Sequence, residues 1–264
     1  MGREGEAVKD TVINIGDYIH PEERAASERI MAMTQAAGWS ESALGEGLDE
    51  TNRYILSSSC YLLPPEHPLA RLAAEESERF GLEEPPRLYI ARRFSYDLQL
   101  GGYRVPTVIV PSVLTEENDL SVIRCRIIAA VAGVRAGHHR LEHMVWLAEN
   151  MSGTIPLPFV SQAALALLYE WKRAMRYSQD RAVYLATGDL KEALRNILYG
   201  TVPREMLDRF DFGPEGTFVP QVERYGRGIV QKTMGAFAGM MQDHAHLPER
   251  YARLTRFAQG GSRE

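Results

Sequence analysis

Apolar residues are densest between Ile127 and Trp146. Small and aliphatic side chains fill the first half, Ile127-Ile128-Ala129-Ala130-Val131-Ala132-Gly133-Val134, and His138, His139 and His143 enter the second together with Glu142. A run that is apolar on most of its circumference belongs to a mostly buried helix, and here it predicts one long helix over residues 116–149. Upstream, Pro21-Glu22-Glu23 starts a helix well, with proline in the first turn and carboxylates at the positive end of the peptide dipole, and this helix ends near Gly38. Residues 40–52 are rich in Gly, Ser, Glu and Asp and read as an exposed connection, and Tyr54 to Leu63 reads as a second buried element. His67-Pro68 opens a helix through Phe80 that Gly81 closes.

Pro85-Pro86 then turn the chain extended, and Arg87–Ala91 and Tyr103–Val110 have the β-branched and aromatic density of strands, divided by a Gly101-Gly102 turn. A helix runs from Val160 through Ala186; Thr187-Gly188-Asp189 is a stop followed by a fresh N-cap for Leu190–Leu198. A loop around Gly213 and Gly216 leads to helices over Val222–Gln242 and Pro248–Ala258. The pattern predicts an α+β, mainly helical fold in which a small hairpin or three-stranded sheet lies beside two long central helices, 116–149 and 160–186, packed in contact. Residues 1–66 are expected as a helical segment on the main domain of residues 67–258, with 259–264 a flexible tail.

With 264 residues the chain can bury a proper core, and 45% hydrophobic with 25% charged residues is an ordinary globular balance. A net charge of -5 argues against nucleic-acid binding, which needs a basic face. Cys60 and Cys125 form neither a disulfide framework nor a thiolate metal site and read as small buried hydrophobes, so a reduced, cytoplasmic setting is expected. The first residues lack the apolar core of a signal peptide, and the richest apolar run, Phe159 to Leu168, is too short for a membrane span.

Candidate chemistry concentrates at the histidines. His139 and His143, four apart, share a helix face, and His139-Arg140-Leu141-Glu142-His143 matches the H-x-x-E-H pattern of inverted zinc peptidases, whose third ligand would come from far along the chain, Glu215 or Glu223 being available. The competing reading is a helix whose histidines are hydrogen-bonded or partly solvated. His244 and His246 suit a loop, and Met234, Met240 and Met241 suit core packing.

Several segments together resemble a known family. Pro86-Arg87-Leu88-Tyr89-Ile90 and Val108-Ile109-Val110-Pro111-Ser112-Val113-Leu114 are followed by Ala132-Gly133-Val134-Arg135-Ala136-Gly137-His138, then by Arg176-Tyr177-Ser178-Gln179-Asp180-Arg181-Ala182, and finally by Asp243-His244 with Pro248-Glu249-Arg250-Tyr251 and Leu254. Over residues 67–257 this order is similar to the soluble catalytic domain of the HtpX and CAAX-prenyl-protease family of zinc metallopeptidases. There a hairpin with an Asn-Ala substrate edge precedes a helix carrying A-H-E-L-G-H, and a later helix carries E-x-x-x-D-R with the third zinc ligand. The resemblance implies a zincin-like fold.

The departures fall where the chemistry sits. Val134 stands in place of the first histidine ligand, Arg135 of the catalytic glutamate and Arg176 of the third ligand, which leaves His138 alone; Asp180 keeps the supporting position and could pair with His138 or an arginine. Asp97-Leu98 replaces the Asn-Ala edge. The resemblance therefore implies a pseudopeptidase without catalytic residues or cofactor, holding a peptide or protein partner, such as an active homologue, by strand addition along Phe94–Leu100. Arg135 and Arg176 would face each other and receive a carboxylate in a bidentate fork beside Asp97 and Leu98. The alternative is an active zinc metalloendopeptidase using His139, Glu142 and His143.

Overall fold

The computed structural model describes residues 12–36, 41–92, 97–115, 120–151, 162–199, 201–212, 216, 218–226 and 245–260. The N-terminal part holds α1 (Ile15–Tyr18), α2 (Pro21–Ala36), α3 (Glu41–Ser59), β1 (Tyr61–Leu62) and α4 (Pro68–Arg79). Strands β2 (Arg87–Ala91), β3 (Gln99–Gly101) and β4 (Thr107–Pro111) follow. After the single turn α5 (Ser112–Thr115) come α6 (Leu120–Arg135), α7 (His138–Met151), α8 (Gln162–Thr187) and α9 (Leu190–Leu198), then α10 (Arg204–Leu207), α11 (Val219–Gly226) and α12 (Leu247–Ala258). The fold is α+β and mainly helical, and no helix among the described residues is long and apolar enough to cross a membrane.

The sheet has four strands in the order β1-β2-β4-β3, with β2 and β4 parallel and the outer pairs antiparallel. This differs from a simple hairpin of two strands across Gly101-Gly102. The hairpin is β3 with β4, and its turn uses Gly102 at φ +79, where a Cβ would lie 2.0 Å from the Val105 carbonyl oxygen. Strand character starts at Thr107 instead of Tyr103, because the backbone N–H groups of Tyr103 and Arg104 donate to Asp49 of α3 at 2.6 and 3.0 Å. β4 is buried on both faces, which is why it reads as a continuous apolar run: Val108 and Val110 enter the main core, and Ile109 meets Leu56 and Ala91 on the other face.

The segment expected as an exposed connection, residues 40–52, is helical from Glu41 on. Leu48, Asn52 and Leu56 recur every four residues on its inward face, and Asn52 Nδ2 donates to Thr107 Oγ1 at 3.2 Å. Gly45 belongs there because a Cβ would approach the Tyr103 ring to 2.9 Å. The polar composition was the solvent face of an amphipathic helix. Conversely, Tyr54–Leu63 is not uniformly buried: Leu56 and Leu63 are, whereas Tyr54 and Tyr61 are 75% and 67% exposed and Cys60 is half-buried.

The helix predicted over 116–149 is two helices. Gly137, at φ +81, ends α6 with its N–H donating to the Val134 carbonyl at 3.0 Å, and α7 starts at His138. α6 packs against α8, and the main core joins Ile127, Ile128 and Val131 of α6 to Leu88 and Val108 of the sheet, Val183 of α8 and Leu194 of α9. α2 lies on α8, where Ala26 and Ile30 pack with Val145, Leu168, Trp171 and Met175. Burying a side chain such as Ile30 contributes about 1.5–3 kcal/mol toward holding this helix on α8. Tyr18 adds an anchor, its hydroxyl donating to the Ala132 carbonyl at 3.0 Å. The helix expected over Val222–Gln242 is described only as Val219–Gly226; Phe94, Glu215, Met234, Met240, Met241 and His244 lie outside the described residues.

Candidate functional site

The break at Gly137 decides the geometry of the family positions. Val134 and His138 are four apart, the spacing that places two ligands on one helix face, yet they lie on opposite sides of a left-handed glycine. Val134 is buried in the main core. His138, 1% exposed, sits with its ring edge against Trp171 at 5.8 Å between centroids, and its Nδ1 lies close over Gly133, where a Cβ would be 3.0 Å away.

His138 is held by a residue 115 positions earlier. Its Nε2 is 2.6 Å from Oε1 of Glu23 on α2, with both side chains buried. Burial pushes the Glu23 carboxyl upward, but attraction to His138 and hydrogen bonds from His138 and Ser178 outweigh it, so its pKa lies below the ordinary value. The imidazole Nε2–H therefore donates to a carboxylate. Ser178 Oγ also accepts from the His20 backbone N–H at 2.8 Å, and Arg253 Nη1 donates to His20 Nε2 at 3.0 Å. Burial, with Arg181 and Arg253 adding to it, lowers the His20 pKa to about 4. The N-terminal helix α2 thus covers His138.

The arginines do not face each other. Arg135 is exposed at the end of α6, whereas Arg176 turns toward β3, its Nη1 donating to Gln179 at 3.0 Å and its Nη2 3.8 Å from Asp97. Asp180 accepts a bidentate fork from Arg250 of α12 at 2.9 and 2.7 Å, not a bond from His138. Asp97 accepts from the buried Arg126 at 2.7 Å, and Leu98 is core. The pocket expected between Arg135 and Arg176 is therefore a different one, lined by Asp97, Leu98, Arg126, Arg176, Asp180 and Arg250.

The edge strand is also partly used. Leu100 N–H donates to Glu142 Oε2 of α7 at 2.9 Å, so at this position an outward-facing backbone donor is already satisfied, which weakens strand addition. Burial raises the Glu142 pKa, opposed by Arg176 and by this bond. Because Glu142 turns to β3, it does not join His139 and His143. Burial lowers the pKa of both histidines, to about 4 for His139, where Arg140 and His138 add and a bond to the Tyr103 backbone opposes; His143 stacks on Trp146. Among the described residues no group of three or more His, Cys, Asp or Glu side chains is placed to hold a metal ion, and Glu142, turned to β3, does not complete with His139 and His143 the zinc set of the alternative reading.

Glu23, Arg126 and Arg250 hold the site's side chains in place; Glu23 carried a sequence signal as a helix-start carboxylate and Arg250 stood in a segment of the resemblance, whereas Arg126 carried none. In comparisons with family models, with curated proteins and with solved structures, nothing matches this chain.

Proposed function

We propose that this chain is a catalytically silent metallopeptidase-like domain, a pseudopeptidase that acts by binding and not by cleavage. The observation that carries the reading is the buried Glu23–His138 pair: the one histidine retained from the zinc motif is committed to an internal carboxylate. Val134, Arg135 and Arg176 supply neither ligand nor general base. The binding role, toward an extended peptide, a partner protein or an active homologue, is supported by a retained framework around lost chemistry. The engaged Leu100 N–H limits how such a peptide would add to the sheet.

The purified protein should hold no stoichiometric zinc and should cleave casein-like substrates no faster than a buffer control. One zinc per chain, lost together with cleavage in His138→Ala, would overturn the reading. Zinc and cleavage lost in His139→Ala or His143→Ala would favour the inverted motif.

A further inference from the structure

A cleft of about 530 Å³ lies between α3 and strands β2 and β4, on the sheet face turned away from the main core, and its volume is that of a small-molecule site. Leu56 and Tyr89 give its floor an apolar part, and Asn52 and Thr107, 8% and 4% exposed, give it a polar one. Asn52 Nδ2 donates to Thr107 Oγ1 at 3.2 Å; among the described residues the Thr107 O–H has no acceptor and Asn52 Oδ1 no donor. Side by side, the two side chains offer one donor and one acceptor, which the C=O and N–H of a peptide group match.

Charge is divided between the two ends of the cleft. At the start of α3 the β3–β4 turn closes it: a Cβ on Gly45 would lie 3.0 Å from Arg104 Nε, and Asp49 accepts from the Tyr103 and Arg104 N–H groups. Glu46 and Asp49 against Arg104 leave this end with a net negative charge. Further along, Arg87 is the register partner of Thr107, which Asn52 reaches, and Arg53 lies 3.4 Å from Glu50. Arg53 and Arg87 against Glu50 leave this end with a net positive charge. Glu46 and Arg87 are both exposed, and among the described residues their side chains have no hydrogen bond or ion pair. From Glu46 to Arg53 the helix rises about 10 Å, the length of about three extended residues.

We propose that this cleft binds a short peptide with free termini, about three residues long, its ammonium at Glu46, its carboxylate at Arg87 and a peptide group on Asn52 and Thr107. A phosphate gains little here, since every guanidinium of the lining has a carboxylate near it. The inference goes beyond the pseudopeptidase reading and does not rest on it, because the cleft uses none of Val134, Arg135, His138 or Arg176. Zinc content and cleavage decide that reading, and peptide binding decides this one.

The test titrates the full-length protein, at low and constant ionic strength, with trialanine and Ala-Leu-Ala by calorimetry and amide NMR. The same peptides N-acetylated or C-amidated, free alanine and sodium phosphate complete the series. At least one peptide with free termini should bind saturably at one per chain and shift the amides of Asn52, Tyr89 and Thr107. Blocking either terminus should weaken binding about threefold or more, and so should Arg87→Gln and Glu46→Gln, changes at exposed side chains without bonds in the fold. Arg87→Gln should leave the C-amidated peptide unaffected and Glu46→Gln the N-acetylated one, a pairing that a merely structural role would not produce. Alanine, too short to reach both ends, should bind more weakly than the peptide. Absence of saturable binding by both peptides, an Arg87→Gln loss equal for acid and amide, or tighter binding of alanine or phosphate overturns the proposal.

Discussion

Glu23→Ala is the most informative single change to the fold. Glu23 and His138 are 3% and 1% exposed, so removing the carboxylate leaves the His138 Nε2–H without its acceptor and without water to replace it. A buried donor left unpaired costs about 1–3 kcal/mol, and loss of a hydrogen bond to an ionised acceptor stands at the upper end of that range, so a loss of about 3 kcal/mol is expected. For a chain of this size that lowers the melting temperature by about 6–12 °C. Glu22→Ala is the control. Glu22 is half-exposed and shares Arg253 with Glu249, so its loss should cost under about 1 kcal/mol. Glu23→Gln should recover part of the loss, because its amide oxygen still accepts. In a double-mutant cycle by urea denaturation, Glu23→Ala and His138→Ala should couple by at least about 1 kcal/mol. A Glu23→Ala cost no larger than that of Glu22→Ala, or a coupling near zero, refutes the claim that this pair fills the site.

Other perturbations follow from the same packing. His20 and His139 have folded-state pKa values near 4 against an ordinary 6.5, so the unfolded chain binds more protons between these values and stability falls as pH drops from about 6.5 to about 4, by up to about 3 kcal/mol per histidine; urea midpoints that do not change across this window contradict it. Glu23, with its carboxyl depressed, stabilises above the ordinary carboxylate value and adds a further loss as pH falls below it. Gly137→Ala meets open space and should cost about 1–2 kcal/mol for its left-handed backbone alone, whereas Gly102→Ala adds a clash with the Val105 carbonyl and should cost more; equal losses in thermal melts would show that the β3–β4 turn yields.

Helix and strand placement was largely legible where local chemistry decides it. Asp189 caps α9, accepting from the Lys191 and Glu192 N–H groups at 2.8 and 3.2 Å, and His67-Pro68 and Gly81 bound α4 as their residue types require. α3 was missed because glycine and acidic residues suggest a loop until one sees that Leu48, Asn52 and Leu56 are buried at four-residue spacing, with Asn52 and Leu56 meeting the sheet. The break at Gly137 was missed because an apolar run on both sides masks a helix stop. The resemblance marked Val134, Arg135 and Arg176 as departures from a family pattern but did not foresee the pairs that occupy this region, since Glu23–His138, Arg126–Asp97 and Arg250–Asp180 join residues 115, 29 and 70 positions apart. Arg135 and Arg176 show the reverse: a template places them together, and their own helices turn them apart.

The most direct test of the filled site is the side-chain ¹⁵N spectrum of histidine-labelled protein during a zinc titration. The His138 Nε2 resonance should have the character of a protonated nitrogen bonded to a carboxylate, should change in Glu23→Gln, and should stay in place as zinc is added to the unmodified protein. A shift of that resonance that saturates at one zinc per chain would contradict the assignment of His138 to Glu23 and restore a metal to the site.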